Sequence, residues 1–245
     1  MIAEPGHTTR NKSARAGEAK GRILIVDDEA HSRRLLRKIL VIRGYEVDDA
    51  RGGDEAIDKI HDEKYDLVLL DVRMSENEGI AVCREIRAVS NVAIIMLTAT
   101  DNEMNKIAAL DAGADDCVAK PFNAPELFAR IRSAMRRNAM GLRLQRLTLK
   151  HMEIDFETRI VTVSGREVHL TPKEFDLLRY LANHPNRVVP HRELLQAIWG
   201  PHYGLELEYL RVFIKQLRKK LELDPSKPRY LQTEPWVGYR LRIPE

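Results

Sequence analysis

The chain reads as an α/β protein: a doubly wound, five-stranded parallel sheet followed by a smaller domain of short strands, three helices and a closing hairpin. Three observations predict this. Over residues 21–140, short apolar runs alternate with amphipathic stretches of helical length, the pattern of βαβ units around a sheet buried on both faces. Beyond residue 147 the strands become short and turn-punctuated, and helical stretches follow them. The charge also changes sign between the halves, from 18 Lys/Arg against 22 Asp/Glu over 21–140 to 18 against 13 over 141–245. An acidic half joined to a basic half fits a cation and phosphate site coupled to a nucleic-acid reader. Charge differences of this size are also common on solvated surfaces.

Local punctuation places each element. Strands are expected near 22–27, 45–49, 66–71, 92–98 and 116–119, with helices near 30–43, 53–62, 79–88, 103–112 and 124–137. The stretch from Arg136 to Gly141 closes the last of these helices and opens a linker. Met152–Asp155, Arg159–Val163 and Glu167–Leu170 read as short strands, with Ser164-Gly165 as a hairpin turn. Thr171-Pro172-Lys173-Glu174 starts a helix: Thr171 can cap, Pro172 suits the first turn and Glu174 closes a capping box. A second helix runs from about Arg192 to Trp199 and stops at Gly200-Pro201. The third begins near Glu206 and ends near Leu223-Asp224-Pro225, and a hairpin occupies about 229–243. Residues 1–20, small, polar and basic, are expected to form a disordered extension.

Bulk features point to a reducing cytoplasm and no membrane. The two cysteines suggest neither a disulfide framework nor a zinc site. No apolar run approaches the ~18 residues that span a bilayer, and the opening residues are too polar for a secretory signal.

Four apolar runs end in residues able to handle a phosphoryl group. I-L-I-V runs into Asp27-Asp28-Glu29, L-V-L-L into Asp71, V-A-I-I-M-L into Thr98-Ala99, and Cys117-Val118-Ala119 into Lys120-Pro121. In a parallel sheet, ligands gather outside the carboxyl ends of the strands where strand order reverses. Phosphoryl transfer to a carboxylate needs a nucleophilic oxygen, a bridging cation and positive charge on the equatorial oxygens. Asp71 is the candidate nucleophile, since carboxylates are ionised at neutral pH and need no general base. Asp27 and Asp28, with Asp71 and waters, offer hard oxygen ligands to Mg²⁺. Lys120 and Thr98 would hold the phosphoryl oxygens. Singly, these residues read as a helix cap, a solvated turn, a surface lysine and a core hydroxyl. Their arrival in order at successive strand ends favours the site. A haloacid-dehalogenase-like phosphatase would want a second Asp two residues after the nucleophile, where this chain has Arg73.

The order V-D-D-E, L-L-D, L-T-A, G-A-D-D-x-x-x-K-P-F resembles the receiver domain of two-component response regulators. The second half, from L-T-P-K-E-F through L-R-K-K-L to V-G-Y-R, resembles the winged-helix effector of the OmpR/PhoB subfamily. Within it, K-I-A-A-L-D-A-G-A-D-D, V-H-L-T-P-x-E-F and W-G-P-H are most similar to regulators of Kdp-type potassium transport. The resemblance implies a flavodoxin-like receiver over 21–140, a linker over 141–146 and a winged helix-turn-helix DNA-binding domain over 147–245. It also implies phosphorylation by a sensor histidine kinase, homodimerisation on phosphorylation and binding to double-stranded promoter DNA. The chain would then catalyse only its own phosphorylation and not be primarily an enzyme. The carbonyl of Arg73 becomes a further Mg²⁺ ligand by its family position.

Phosphorylated receivers of this subfamily pair through the fourth helix, fifth strand and fifth helix. The matching charges are Lys106 with Glu126, Asp116 with Arg130, and Asp111 with Arg132; without the resemblance they would be an ordinary charged surface. Each exposed pair is worth only ~0–1 kcal/mol, enough to choose orientation. There are departures from the family pattern. Ser75 and Glu78-Gly79 stand where a proline and an Asp-Gly pair are usual, and Cys117 stands where a switch Tyr or Phe is usual. Cys117 cannot fill a ring's volume, so the unphosphorylated chain is expected to dimerise or bind DNA appreciably. An atypical regulator acting without phosphorylation is the alternative.

The third helix of the second domain separates its faces. Leu210, Ile214, Leu217 and Leu221 make one buried stripe, and Arg211, Lys215, Arg218 and Lys219 fall opposite. Such a face can be merely solvated or lie on a membrane surface, but the preceding helix, tight connection and following hairpin argue for a recognition helix in the major groove. Arg218 is the expected reader of guanine, with Gln216 assisting on adenine, and Lys215 and Lys219 are expected on phosphates. Val237-Gly238-Tyr239-Arg240 would form the wing, with Tyr239 and Arg240 near the DNA backbone. Two domains would occupy half-sites ~10–11 bp apart, as direct repeats by the resemblance. Trp199 is open between a phosphate contact and the core.

Overall fold

The computed structural model describes residues 20–72, 74, 78–98, 103–135 and 144–243. Its first half alternates β1 (Arg22–Val26), α1 (Ala30–Ile42), β2 (Glu46–Ala50), α2 (Gly53–Asp62), β3 (Leu67–Asp71), α3 (Glu78–Val89), β4 (Ala93–Thr98), α4 (Glu103–Asp111), β5 (Asp116–Ala119) and α5 (Ala124–Met135). The strands form one parallel sheet in the order β2-β1-β3-β4-β5, the doubly wound arrangement expected. Successive side chains on a strand point to opposite faces. Ile23, Ile25, Leu67, Leu69, Ile95 and Leu97 pack with Leu36, Leu40, Leu127 and Ile131 of α1 and α5. Leu24, Val26, Val68, Leu70, Ile94 and Met96 pack with Ala56, Val82, Ile86 and Leu110 of α2, α3 and α4. Burial on both faces is why these strands are continuous apolar runs.

The second half opens with β6 (Arg146–Thr148), β7 (Met152–Asp155), β8 (Ile160–Val163) and β9 (Arg166–Glu167), an antiparallel sheet in that order. Three helices follow: α6 (Pro172–Ala182), α7 (His191–Trp199) and α8 (Leu207–Leu221). A second sheet joins β10 (Val189–Pro190), β12 (Gly238–Leu241) and β11 (Leu231–Glu234), with β12 central. Ser164 (φ 50°) and Gly165 (φ 77°) sit between the paired Val163 and Arg166, and two positive φ angles define the primed hairpin turn expected there. The strand expected over Glu167–Leu170 is shorter, because Thr171 turns the chain into α6. β6 begins at Arg146, within the stretch expected as linker; three residues have too little pattern to announce a strand before β7 pairs with them.

The α6 capping box forms as its residues predict. Glu174 donates its N–H to Thr171 Oγ1 at 3.4 Å, and Thr171 donates its own to Glu174 Oε2 at 2.7 Å, an arrangement worth about 1 kcal/mol. On α8 the stripe of Leu210, Ile214, Leu217 and Leu221 is buried. Tyr209, Val212 and Phe213 are buried as well, and α8 also packs against α4 of the first domain. One hydrophobic cluster therefore runs without a break from the α2–α3–α4 face of the parallel sheet into the core of the second domain. No described helix is long and apolar enough to cross a membrane.

Candidate functional site

Strand order reverses between β1 and β3, and their register pairs Val26 with Leu70. Asp27 and Asp71, the next residues, are therefore neighbours at the carboxyl edge. Both are buried, Asp71 at 7% exposure. Lys120, just after β5, brings Nζ to 2.8 Å from Asp71 Oδ2 and 3.4 Å from Asp27 Oδ2. Thr98 ends β4, one residue beyond the Leu97 that pairs with Asp71, and it is fully buried. Asp28 is exposed beside them. The expected ligand Arg73, like Ser75, lies outside the described residues.

Two further residues hold the acidic turn. Ser32 donates to Asp27 Oδ2 at 2.5 Å, and the Glu29 N–H donates to Oδ1 at 2.8 Å. Arg33 is buried with Leu36 and Leu40 on the inner face of α1. Its Nη1 donates to the carbonyls of Asp27 (2.6 Å) and Asp28 (3.0 Å), and its Nε to Asp49 at 3.1 Å. An arginine in a core stripe was the available signal, since a buried charge must be paired. Gly79 at the start of α3 lies against the chain leaving β3: a side chain there would collide with the Asp71 carbonyl.

The donor set suits Mg²⁺, a hard ion that takes oxygen ligands and keeps several waters. Asp27 and Asp71 converge on one point, with Asp28 open beside them. Among the described residues no three such side chains close into a ready-made cage. Two convergent carboxylates completed by water therefore fit Mg²⁺ better than an ion held by protein alone.

Four of the residues expected at a dimer interface, Asp111, Asp116, Glu126 and Arg130, meet partners inside the chain. Arg130 Nη1 lies 3.0 Å from Asp116 Oδ1, and its Nη2 lies 2.8 Å from Glu126. Tyr203, between α7 and α8, donates to Asp116 Oδ2 at 2.5 Å and lies under the Arg130 guanidinium, 4.9 Å from its ring centre. Asp111 accepts from Gln216 at 2.7 Å and faces Lys215 Nζ at 3.7 Å. Lys106 and Arg132 border the clefts between α4 or α5 and the α7–α8 segment. The α4–β5–α5 face is thus covered by the chain's own second domain, and two expected DNA contacts on α8 are engaged with α4.

Trp199 is the centre of this seam. Only 2% exposed, it donates from Nε1 to the Asp115 carbonyl at 3.0 Å, and Tyr203, Tyr209 and Phe213 surround its ring. It is a core residue here, not a phosphate contact. Asp115 accepts from Arg87 (2.6 Å), the Ile94 N–H (2.9 Å) and, across the seam, the Lys173 N–H (3.2 Å). Asp115 and Asp116 therefore seat one domain on the other. Cys117 is buried beneath them, its thiol pushed well up by burial and then by Asp116. The expectation that Cys117 leaves the unphosphorylated chain free to dimerise meets an obstacle, because aromatic rings of the second domain cover that face.

Burial pushes the Asp116 carboxyl up to about 6, against the pull of Arg130 and the Cys117 N–H. Undocked and solvated, it would return towards its ordinary 3.8. The docked form thus binds the extra proton between about pH 4 and 6. Docking is therefore favoured at the acid end, and that gain is lost as pH rises through 6. The full-length chain is expected to sediment as a more compact particle at pH 5 than at pH 7.5. Asp116→Asn should flatten that difference; an unchanged pH response in the variant would assign it to other groups.

Three contacts redefine the basic face of α8. Arg218 donates from Nε and Nη2 to the Leu231 carbonyl (2.9 and 2.7 Å) and from Nη2 to Thr233 Oγ1 (2.7 Å). It is a strut between α8 and the β11–β12 hairpin, not the free guanine reader expected. Tyr239, expected near the DNA backbone, is buried against His191, ring centres 5.4 Å apart, with burial raising its phenol, and it roots the hairpin. Arg240 Nη2 pairs with Glu234 at 2.7 Å. Arg211, Lys215 and Lys219 remain exposed. Arg218→Ala should therefore weaken binding to preferred and scrambled duplexes alike, with a stability loss of about 1–3 kcal/mol. Titrations on both duplexes beside a denaturation curve check this; loss on the preferred duplex alone would restore Arg218 as a reader.

Comparison with known proteins agrees with both halves. Residues 23–132 match the response regulator receiver domain, and residues 165–241 match the family "Transcriptional regulatory protein, C terminal". The chain belongs to the response regulators whose receiver is joined to an OmpR/PhoB-type DNA-binding domain. It is 41% identical over 220 residues to the transcriptional regulatory protein KdpE of Mycobacterium tuberculosis, covering 89% of this chain and 97% of that one. It is 40% identical over 230 residues to the transcriptional regulatory protein ResD of Bacillus subtilis, covering 91% and 96%. A solved structure of a RitR mutant superposes with a TM-score of 0.75 at 25% identity, covering 91% of this chain and 99% of that chain. The chain is a transcriptional response regulator; receivers as a class bind Mg²⁺, and members of this family work with histidine kinases and promoter DNA.

Proposed function

We propose that this regulator accepts a phosphoryl group on Asp71 from a partner histidine kinase in the cytoplasm, and that the modification releases the second domain to act on promoter DNA as a dimer. The observation that carries this reading is the Lys120 ammonium bridging Asp71 and Asp27 at the edge of the sheet. An Asp71 carboxylate oxygen attacks phosphorus, the bond to the donor's leaving group breaks with its electron pair, and an acyl phosphate forms. Asp27, Asp28 and Asp71 would hold Mg²⁺, which supplies charge neutralisation between nucleophile and phosphate. Lys120 exchanges a carboxylate partner for a phosphoryl oxygen, and Thr98 donates to another. Opening the seam would free Asp111, Asp116, Glu126 and Arg130 for pairing between subunits, and Lys215 and Gln216 for DNA. Likeness to KdpE supports potassium-transport genes as the target.

The test is incubation of the full chain with Mg²⁺ and acetyl phosphate, followed by intact mass. A gain of one phosphoryl group, dependent on Mg²⁺, is the expected result. No gain at any donor concentration would sink the reading in favour of a regulator that acts without phosphorylation.

A further inference from the structure

The tip of the β11–β12 hairpin carries the most exposed large apolar side chain described in the molecule: Trp236, 99% exposed, with Pro235 and Val237 exposed on either side. Its backbone is equally unusual. The Val237 N–H closes on the Glu234 carbonyl at 3.1 Å, making a four-residue turn with Pro235 and Trp236 at its centre, and Trp236 has φ +66°. Proline followed by a left-handed residue is a type II turn, whose third position is normally glycine because a side chain there is strained. Neither burial nor turn geometry therefore accounts for a tryptophan here.

The hairpin presents this side chain rigidly and beside the basic helix. Arg218 ties α8 to Leu231 and Thr233, the His191 N–H donates to the Val237 carbonyl at 3.0 Å, and Arg240 neutralises Glu234. At the hairpin's root, Tyr239 lies close enough to Arg211 and Arg218 for both to act on its phenol. From the Thr233–Tyr239 pair the ladder runs one pair further, to Glu234 and Gly238, and the Pro235–Trp236 turn projects beyond it. With α8 in the major groove, a projection beside the helix meets the neighbouring minor groove.

We infer that Trp236 is a minor-groove wedge, an apolar tip that packs on sugars and base edges and opens a flexible base step beside the sequence read by α8. The inference rests on α8 being the major-groove element. An apolar wedge unstacks a step and is energetically easiest at pyrimidine–purine steps such as TA or CA. Trp236 would thereby contribute specificity through DNA deformability, without a hydrogen bond to a base.

The experiment uses the full chain, incubated with Mg²⁺ and acetyl phosphate, and a random-sequence duplex pool at low salt. Trp236→Gly supplies the variant, since glycine relaxes the turn and should fold at least as stably. Wild type should bind roughly tenfold tighter than Trp236→Gly, in line with an aromatic–base contact. Pool selection should enrich a TA or CA step flanking the wild-type core and lose that enrichment in the variant. In a Trp199→Phe background, where Trp236 is the one tryptophan left in the sequence, acrylamide-accessible emission reports Trp236, and duplex should protect it. Equal affinity and flanking preference, with Trp236 still quenchable in the complex, would overturn the wedge while leaving DNA binding by α8 intact. A wild-type chain that retains no duplex would overturn both.

Discussion

Replacing Asp71 by Asn should abolish acyl-phosphate formation and leave the fold in place. Asn keeps the shape of the side chain but lacks an anionic oxygen able to attack phosphorus. Asp71 ends a strand whose burial comes from Leu67 to Leu70, so the sheet does not depend on the carboxylate. Lys120 loses its 2.8 Å partner and retains Asp27 at 3.4 Å, while repulsion among the three carboxylates falls. Those changes oppose each other, and stability should move by no more than about 1 kcal/mol. Intact mass after acetyl phosphate, beside a thermal denaturation curve, reads both quantities. A full-stoichiometry phosphoryl group on the folded variant would remove Asp71 from its role.

The second large effect is expected from unlocking the seam. Tyr203→Ala removes the 2.5 Å bond to Asp116 and the ring beneath Arg130, leaving a buried carboxylate with fewer partners. The loss should be about 2–4 kcal/mol of docking energy. A closed form favoured by about 2 kcal/mol leaves roughly 3% of molecules competent to bind DNA, so complete unlocking would raise apparent affinity about 30-fold. The unphosphorylated variant should therefore dimerise and bind duplex more tightly than the unphosphorylated wild type, with a faster-exchanging seam. Sedimentation and binding titrations before phosphorylation decide the matter. A folded Tyr203→Ala chain with wild-type mass and wild-type affinity would show that the seam restrains nothing. Trp199→Ala, which removes the ring at the centre of the seam and its bond to the Asp115 carbonyl, provides an independent second test.

Much of this molecule was legible along the chain because the information is local. Apolar runs ending in Asp27, Asp71, Thr98 and Lys120 announce strands that deliver their last residues to one edge, since a parallel sheet places all its carboxyl ends together. Thr171, Pro172 and Glu174 announce a helix start through bonds spanning three residues, and Leu210 to Leu221 announce a buried stripe through helical period alone. Arg33 was legible in principle, as a charge within such a stripe, but its acceptors were not. The remaining features depend on residues far apart in the chain: Asp115 with Lys173 and Trp199, Asp116 with Tyr203, Asp111 with Gln216, and Arg218 with Leu231. Periodicity shows that a helix has a polar face; it carries no information on whether water, DNA or another domain covers it. Tyr239 and Arg218 read as DNA contacts for that reason, and packing inside the second domain, of α8 and His191 against the hairpin, turned them into structural members. The same limit applied to Asp111 and Asp116, whose charges suit a partner subunit or a neighbouring domain equally well until the folded chain brings α8 and Tyr203 against them.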